Sequence, residues 1–197
     1  MASILQVATI KDQGGNANAI EIANSSANVT INNLTSSTGF PTGHILQTKH
    51  GTLAGTKSTS SASYQDVIVL SITTTVASSK ILAIAQTNGS MNGDNAHIHY
   101  RIYNVTTSTN VGVGDDAGNR QGTGGLINNT TTGQMDHLTI VGQDSPAQNA
   151  GTTLQYKLLY KSNGSTTVYI NRSHRDYDGT TYDGRGFSSL TLMEIAP

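Results

Sequence analysis

TTLQYKLLYKSNGSTTVYINRS (Thr152–Ser173), with the closing run FSSLTLMEI (Phe187–Ile195), decides how the chain is read. Leu154, Tyr156, Leu158 and Tyr160 fall on one side of the first run, and Gln155, Lys157 and Lys161 on the other. That is the period of two of a half-buried strand. Ser162-Asn163-Gly164-Ser165 tolerates positive φ, so the chain is expected to turn back at once, with Val168 and Ile170 continuing the apolar face in the second strand of a hairpin. Leu190 and Leu192 offer a third strand. A hairpin followed by a returning strand is how antiparallel sandwiches are built.

Upstream the pattern repeats. HIHYRIYNV (97–105) alternates, with Ile98, Tyr100 and Ile102 facing one way and His97, His99, Arg101 and Tyr103 the other. HILQTK (44–49) and MDHLTIV (135–141) read as further strands. In YQDVIVLSI (64–72) the run Val67–Leu70 is continuously apolar, which predicts a strand buried on both faces, the second covered by another subunit. SKILAIAQT (79–87) has the same character. Residues 51–63 and 88–95 read as turns, and 115–133 as a long glycine-rich loop carrying Asp115, Asp116 and Arg120. Eight or nine short strands without a convincing amphipathic helix predict an all-β protein, an antiparallel β-sandwich of jelly-roll type.

Residues 1–35 differ in character. Three thin β-like runs, SILQVATI, NAIEIA and NVTINN, cannot each hold a core and need a partner surface. They read as an extended β anchor, in which Ile4, Val7, Ile10, Ile20, Ile22, Val29 and Ile31 are the apolar assembly residues. An edge hairpin folded onto its own domain is the plainer alternative. Residues 36–43, broken by Gly39, Pro41 and Gly43, read as a linker, and 44–197 as the head domain.

Composition narrows the function. The chain has 197 residues, a formal net charge of -1, and only 12% charged residues, so the electrostatic footprint of a nucleic-acid binder is missing. No cysteine is present, which removes thiolate metal sites and thiol nucleophiles. Met1 to Ile10 lacks the basic and apolar regions of a signal peptide, and no run approaches the roughly 18 apolar residues of a membrane helix, so no membrane insertion is expected. Enzyme templates fail: there is no Gly-x-Ser-x-Gly elbow, no His-Glu-x-x-His and no phosphate-binding loop. Neither enzymatic activity nor a cofactor is expected.

GQDSPA (Gly142–Ala147), LQYKLLYK, TVYINRS and SSLTLMEI, together with GHILQTK (Gly43–Lys49) and SSKILAIAQTNG (Ser78–Gly89), resemble the C-terminal jelly-roll domain of tail-fibre-like virion surface proteins of marine bacteriophages. The resemblance takes in residues 43–197, and its motifs are strand signatures rather than a catalytic fingerprint. It implies a virion location and a homotrimeric short fibre or spike, attached through its N-terminus to other virion proteins of capsid or tail. A host surface glycan or protein would be the further partner. A capsid decoration protein of cement or head-fibre type is the alternative within the virion. Outside it stands a soluble lectin-like β-sandwich.

Two candidate sites follow. His97 and His99, two apart on a strand, project from one face and can chelate a metal. On the threefold axis that the resemblance implies, three such pairs would meet, whereas a polar outer face beside Arg101 is the plain reading. The second candidate is the loop 174–186, with His174, Arg175, Asp176, Tyr177, Asp178, Tyr182 and Asp183. Its aromatic and hydrogen-bonding groups suit a receptor contact, and its carboxylates a weak calcium site. An ordinary solvated loop is the plain reading there.

Overall fold

The computed structural model describes residues 42–93, 96–128, 134–164, 166–179 and 183–197, and the backbone of three short N-terminal strands. The chain divides into two compact units, Met1–Pro41 and Thr42–Pro197. Among the described residues every regular element is a strand, and no helix is long and apolar enough to cross a membrane.

In the first unit β1 (Thr9–Lys11), β2 (Asn18–Ile22) and β3 (Val29–Thr30) pair in chain order, all antiparallel. Ile10 lies opposite Ile20, and Ile22 opposite Val29. Three of the expected anchor residues, Ile4, Val7 and Ile31, lie outside the described residues.

The second unit is an antiparallel β-sandwich. Its strands are β4 (Ile45–Leu53), β5 (Lys57–Thr59), β6 (Gln65–Thr73), β7 (Lys80–Met91), β8 (Ile98–Asn104), β9 (Thr109–Val111), β10 (Gly125–Ile127), β11 (Asp136–Asp144), β12 (Thr153–Ser162), β13 (Val168–Ile170) and β14 (Ser188–Ile195). In sheet I the long strand β7 carries β11 along one edge. Its other edge carries β14 and then β13, which are flanked in turn by β4 and β5. Sheet II runs β6, β12, β8, and then β9 and β10 side by side along β8. The pairing is nested: β4 with β14, β6 with β12, β7 with β11, and β8 with β9 and β10. That is one long antiparallel ribbon rolled on itself, the jelly-roll arrangement.

The core lies between the sheets. Leu154, Tyr156, Leu158 and Tyr160 point into it from β12, facing Ile81, Ala83 and Ala85 of β7 and Leu190 and Leu192 of β14. The alternation of β8 and β12 follows the sequence expectation. Several local expectations give way. The turn at Ser162–Gly164 does not close a hairpin: β12 belongs to sheet II and β13 to sheet I, so the chain crosses the core edge. Val168 and Ile170 are buried, but against the opposite sheet. Period-two apolarity says which face is inward and nothing about which sheet the strand joins.

The apolar run Val67–Leu70 has a different cause from burial on two faces. A bulge against Leu158/Leu159 turns both Val67 and Ile68 inward, while Val69 stays 46% exposed. The run in β7 simply alternates, with Ile81, Ala83 and Ala85 buried and Leu82 and Ile84 half-buried outside. Residues 88–91 are strand rather than loop, 51–53 and 57–59 are strand within the expected turn region, and β10 lies inside the expected glycine-rich loop. Gly89 explains the first of these. A Cβ there would stand 2.3 Å from the Tyr100 hydroxyl and 2.6 Å from Ile98 Cδ1, so the glycine is there to let sheet II approach.

Three polar clamps close the body. Asn171, buried and left-handed at φ 61°, donates through Nδ2 to the carbonyls of Leu53 (2.8 Å) and Gly55 (2.9 Å). Its Oδ1 accepts from the Ser188 hydroxyl at 2.8 Å. Asp144, at the end of β11, accepts at 2.8 Å from both Tyr156 Oη and Asn104 Nδ2, tying sheet I to sheet II. Burial, then the bond to Asp144 and its charge, push the Tyr156 phenol far above its ordinary range. Glu194, buried in β14, accepts at Oε1 from the Thr75 N–H (2.7 Å) and the Val76 N–H (3.3 Å). At Oε2 it accepts from Gln47 Nε2 (2.7 Å) and the Thr75 hydroxyl (2.9 Å). Burial alone would raise its carboxyl, but these donors outweigh it and hold the group below its usual value.

Asn171→Asp keeps the residue's tolerance of positive φ and removes both amide donations. It is expected to cost about 1–3 kcal/mol, because the Leu53 and Gly55 carbonyls lose their donor and a carboxylate faces them. Equilibrium urea unfolding measures it, and a change below about 0.5 kcal/mol would contradict the clamp. The Glu194 contribution is complete above the ordinary carboxyl value of 4.5 and is lost as pH falls through the depressed folded value. Glu194→Gln should therefore lower stability at pH 7 and flatten its fall below pH 4.5, as read by thermal melts across pH.

Candidate functional site

The two outer faces of the sandwich differ in chemistry. Outside sheet I the cross-strand pairs include Ile84 with Val141, Leu82 with Met193, and Ile45 with Ile195, an aliphatic band that Lys80 borders opposite Ile195. Val141 and Ile45 are more than half exposed. Outside sheet II, β8 presents His99, Arg101 and Tyr103, and β12 presents Lys157, Leu159 and Lys161. Strand pairing sets His99 directly opposite Lys161, and Tyr103 opposite Lys157.

The cations on this face are not equivalent. Lys157 is paired with Asp66 of β6 at 2.8 Å. Arg101 and Lys161 have no carboxylate partner among the described residues. Both approach the ring of Tyr64 instead, with the guanidinium 3.9 Å and the ammonium 4.8 Å from its centroid. Arg101 also lies 5.2 Å from the Tyr103 ring, and its Nε is buried without a hydrogen-bond partner. Stacking of this kind offsets part of the cost of gathering positive charge, and it leaves the in-plane N–H edge of the arginine free.

Around this pair lies an open basin of about 740 Å³. Its floor is β8 and β12, and one wall is Ala62–Tyr64, pinned where the Ser162 N–H donates to the Ser61 carbonyl at 3.0 Å. The facing wall is the 113–122 segment between β9 and β10. That wall is braced internally: the Gly122 N–H donates to Asp116 Oδ1 at 2.6 Å, and Ala117 and Arg120 exchange backbone bonds of 2.9 and 3.1 Å. Lys161 reaches across to Gln121 Oε1 at 2.6 Å. Burial, and after it the neighbouring Arg101 charge, hold the Lys161 ammonium below its usual range. Burial, Lys161 and His97 in that order hold His99 below its usual value.

His97 and His99 share the outer face as their spacing predicts, and the Nδ1 atoms of both are buried without a partner. His137 does not join them. It lies on β11 in sheet I, bonded to Asn88 and Thr139. The field of Lys161 and Arg101 works against placing a metal cation beside His99. No group of three or more His, Cys, Asp or Glu with metal-binding geometry occurs among the described residues.

The 174–186 loop is organised by its own ion pairs. Asp176 joins Arg172 at 3.0 Å and Arg185 at 2.8 Å. Asp183 joins Arg175 at 2.8 Å and accepts from the Ser173 hydroxyl at 2.5 Å. The Ser173 bond leads the effects that hold the Asp183 carboxyl low, with Arg175 adding to it against the effect of burial. Two of the three carboxylates expected to attract calcium are thus engaged by arginines. Tyr177 stands 64% exposed, Asp178 is exposed, and His174 packs its ring 5.9 Å from that of Tyr169. Tyr182 lies outside the described residues. Sequence reasoning singled out this loop and passed over Tyr64 and Lys161, because their meeting with Arg101 depends on β8 pairing with β12.

No family model and no curated protein matches the chain. Among solved structures it is similar to one titled "Structure of infectious bursal disease virus Gt strain", at 10% identity and a TM-score of 0.32. The match covers 94% of this chain and 48% of that one, so the chain spans about half the length of its neighbour.

Lys161→Gln should raise the His99 titration midpoint toward its ordinary 6.5, since it removes the charge that, after burial, does most to lower it. NMR titration of the imidazole resonances checks this, and an unmoved midpoint would contradict the electrostatic coupling.

Proposed function

We propose that the protein is a structural component of a bacteriophage virion: a homotrimeric short fibre or spike, attached through residues 1–41 and contacting the host with its body. It acts by assembly and binding and not by catalysis. The observation that carries this reading is the place of the motifs that make the resemblance. Asn171 of TVYINRS and Ser188 and Glu194 of SSLTLMEI, all buried, and the half-buried Asp144 of GQDSPA are polar residues that clamp the sandwich. The shared residues therefore concern how this jelly roll closes, which is where likeness of sequence carries over to likeness of build.

Two further features support it. The chain splits at Pro41/Thr42 into a small three-stranded unit and a body with its own core, the division expected of an anchor and a head. The aliphatic band outside sheet I supplies a surface for self-association. A strand trio as small as β1–β3 gains most from adding to another sheet or winding with its symmetry mates.

Deleting residues 1–41 should leave a body that melts cooperatively and no longer joins particles. Immunogold labelling of purified particles with an antibody to the body reads the result. Gold at the tail supports the fibre, and gold over the capsid replaces it with a decoration protein. No gold on any particle, or normal incorporation of the deletion, would remove the anchored-virion reading.

A further inference from the structure

We propose that the basin between Tyr64, Arg101, Lys161 and the 113–122 wall binds an acidic saccharide, whose carboxylate or sulfate group sits against Arg101 and Lys161. The inference rests on the body alone and holds whether or not the protein is carried on a virion.

The case begins with charge. The chain is close to neutral overall, and several of the body's other cations find carboxylates: Lys157 with Asp66, Arg172 and Arg185 with Asp176, and Arg175 with Asp183. Arg101 and Lys161 are instead set beside each other over one tyrosine ring, with the guanidinium Nε shielded from solvent and unbonded. Two like charges in a partly desolvated place destabilise one another, and an anion between them relieves that. Stacked on Tyr64, the guanidinium is held in orientation, and its edge can take two oxygens of a carboxylate or sulfate side by side.

The other wall decides the class of ligand. Asp115 and Asp116 line the same basin, together with Asn110 and Gln121. Carboxylates there repel a polyanion such as a nucleic-acid backbone, and they accept hydrogen bonds well from hydroxyl groups. A ligand with one acidic group and many hydroxyls satisfies both walls. Apolar ligands find little to hold them, since Ala62 and Val113 are the aliphatic side chains of the lining. The volume of about 740 Å³ lies within the usual span for small-molecule sites, about 300–1,000 Å³. The rim also takes in His99, beside Lys161 where the basin continues toward Asn163.

Isothermal titration of the full chain with sialyllactose (one carboxylate), sulfolactose (one sulfate) and lactose (neutral) tests the proposal. At least one acidic probe should bind and the neutral one should not; which acidic probe binds tells carboxylate from sulfate. Arg101→Gln and Lys161→Gln should each weaken that binding about tenfold or more, the loss of a charge-assisted contact. Lys157→Gln, outside the basin, should leave it unchanged. If Arg101→Gln fails to fold, the two lysine variants still decide. Binding of neither acidic probe, equal binding of the neutral one, or equal losses in Lys161→Gln and Lys157→Gln would overturn the site.

Discussion

Where the strands of sheet I stop and restart, between Leu53 and Lys57 and again between Ile170 and Ser188, backbone carbonyls lose their ladder partners beside an apolar core. The Asn171 amide meets two of them, and the backbone N–H of Asn171 donates to the Asn88 carbonyl at 3.0 Å. Each of these part-buried bonds contributes on the order of 1 kcal/mol, so one side chain ties both breaks together. Only a residue that accepts positive φ and carries an amide fits that place. The rest of sheet I depends on it: β5 and β13 extend the sheet past the breaks, and the loop that follows Asn171 leaves from a fixed point.

The same logic appears at the other two clamps. Asp144 holds β11 to the ends of β8 and β12, and Glu194 gathers the donors of the β6–β7 connection. Each is a carboxylate met by several donors, and at the buried Glu194 they keep the group charged away from bulk water. Such groups make the roll specific. A slipped register would strand a charge without donors, whereas a slip between aliphatic side chains alone would be nearly free.

Closing the roll leaves two outer faces with different duties. Sheet I turns a mainly aliphatic band outward, and sheet II a band of cations and tyrosines. Because β8 and β12 are neighbours, residues about sixty apart in sequence become lateral partners, and His99, Arg101 and Lys161 share one patch. The 113–122 segment then walls that patch into a basin. By contrast, the 174–186 loop spends its charges locally, with Asp183 joined to Arg175 and Asp176 to Arg185 and to Arg172 just before the loop.

The amino-acid sequence by itself determined the all-β class, the inward faces of β8 and β12, and the pairing of His97 and His99 on one face. All of these follow from local alternation, which strand geometry imposes whatever the partner. The tertiary structure decided which strands are neighbours, and with it everything that depends on neighbours. It sent β12 and β13 to different sheets, turned the run Val67–Leu70 into a bulge, and let Gly89 remain strand because Tyr100 comes up against it. It also brought Tyr64, Arg101 and Lys161 together. No window of sequence contains that meeting, because long-range pairing is chosen by the free energy of the closed sandwich and not by any one strand.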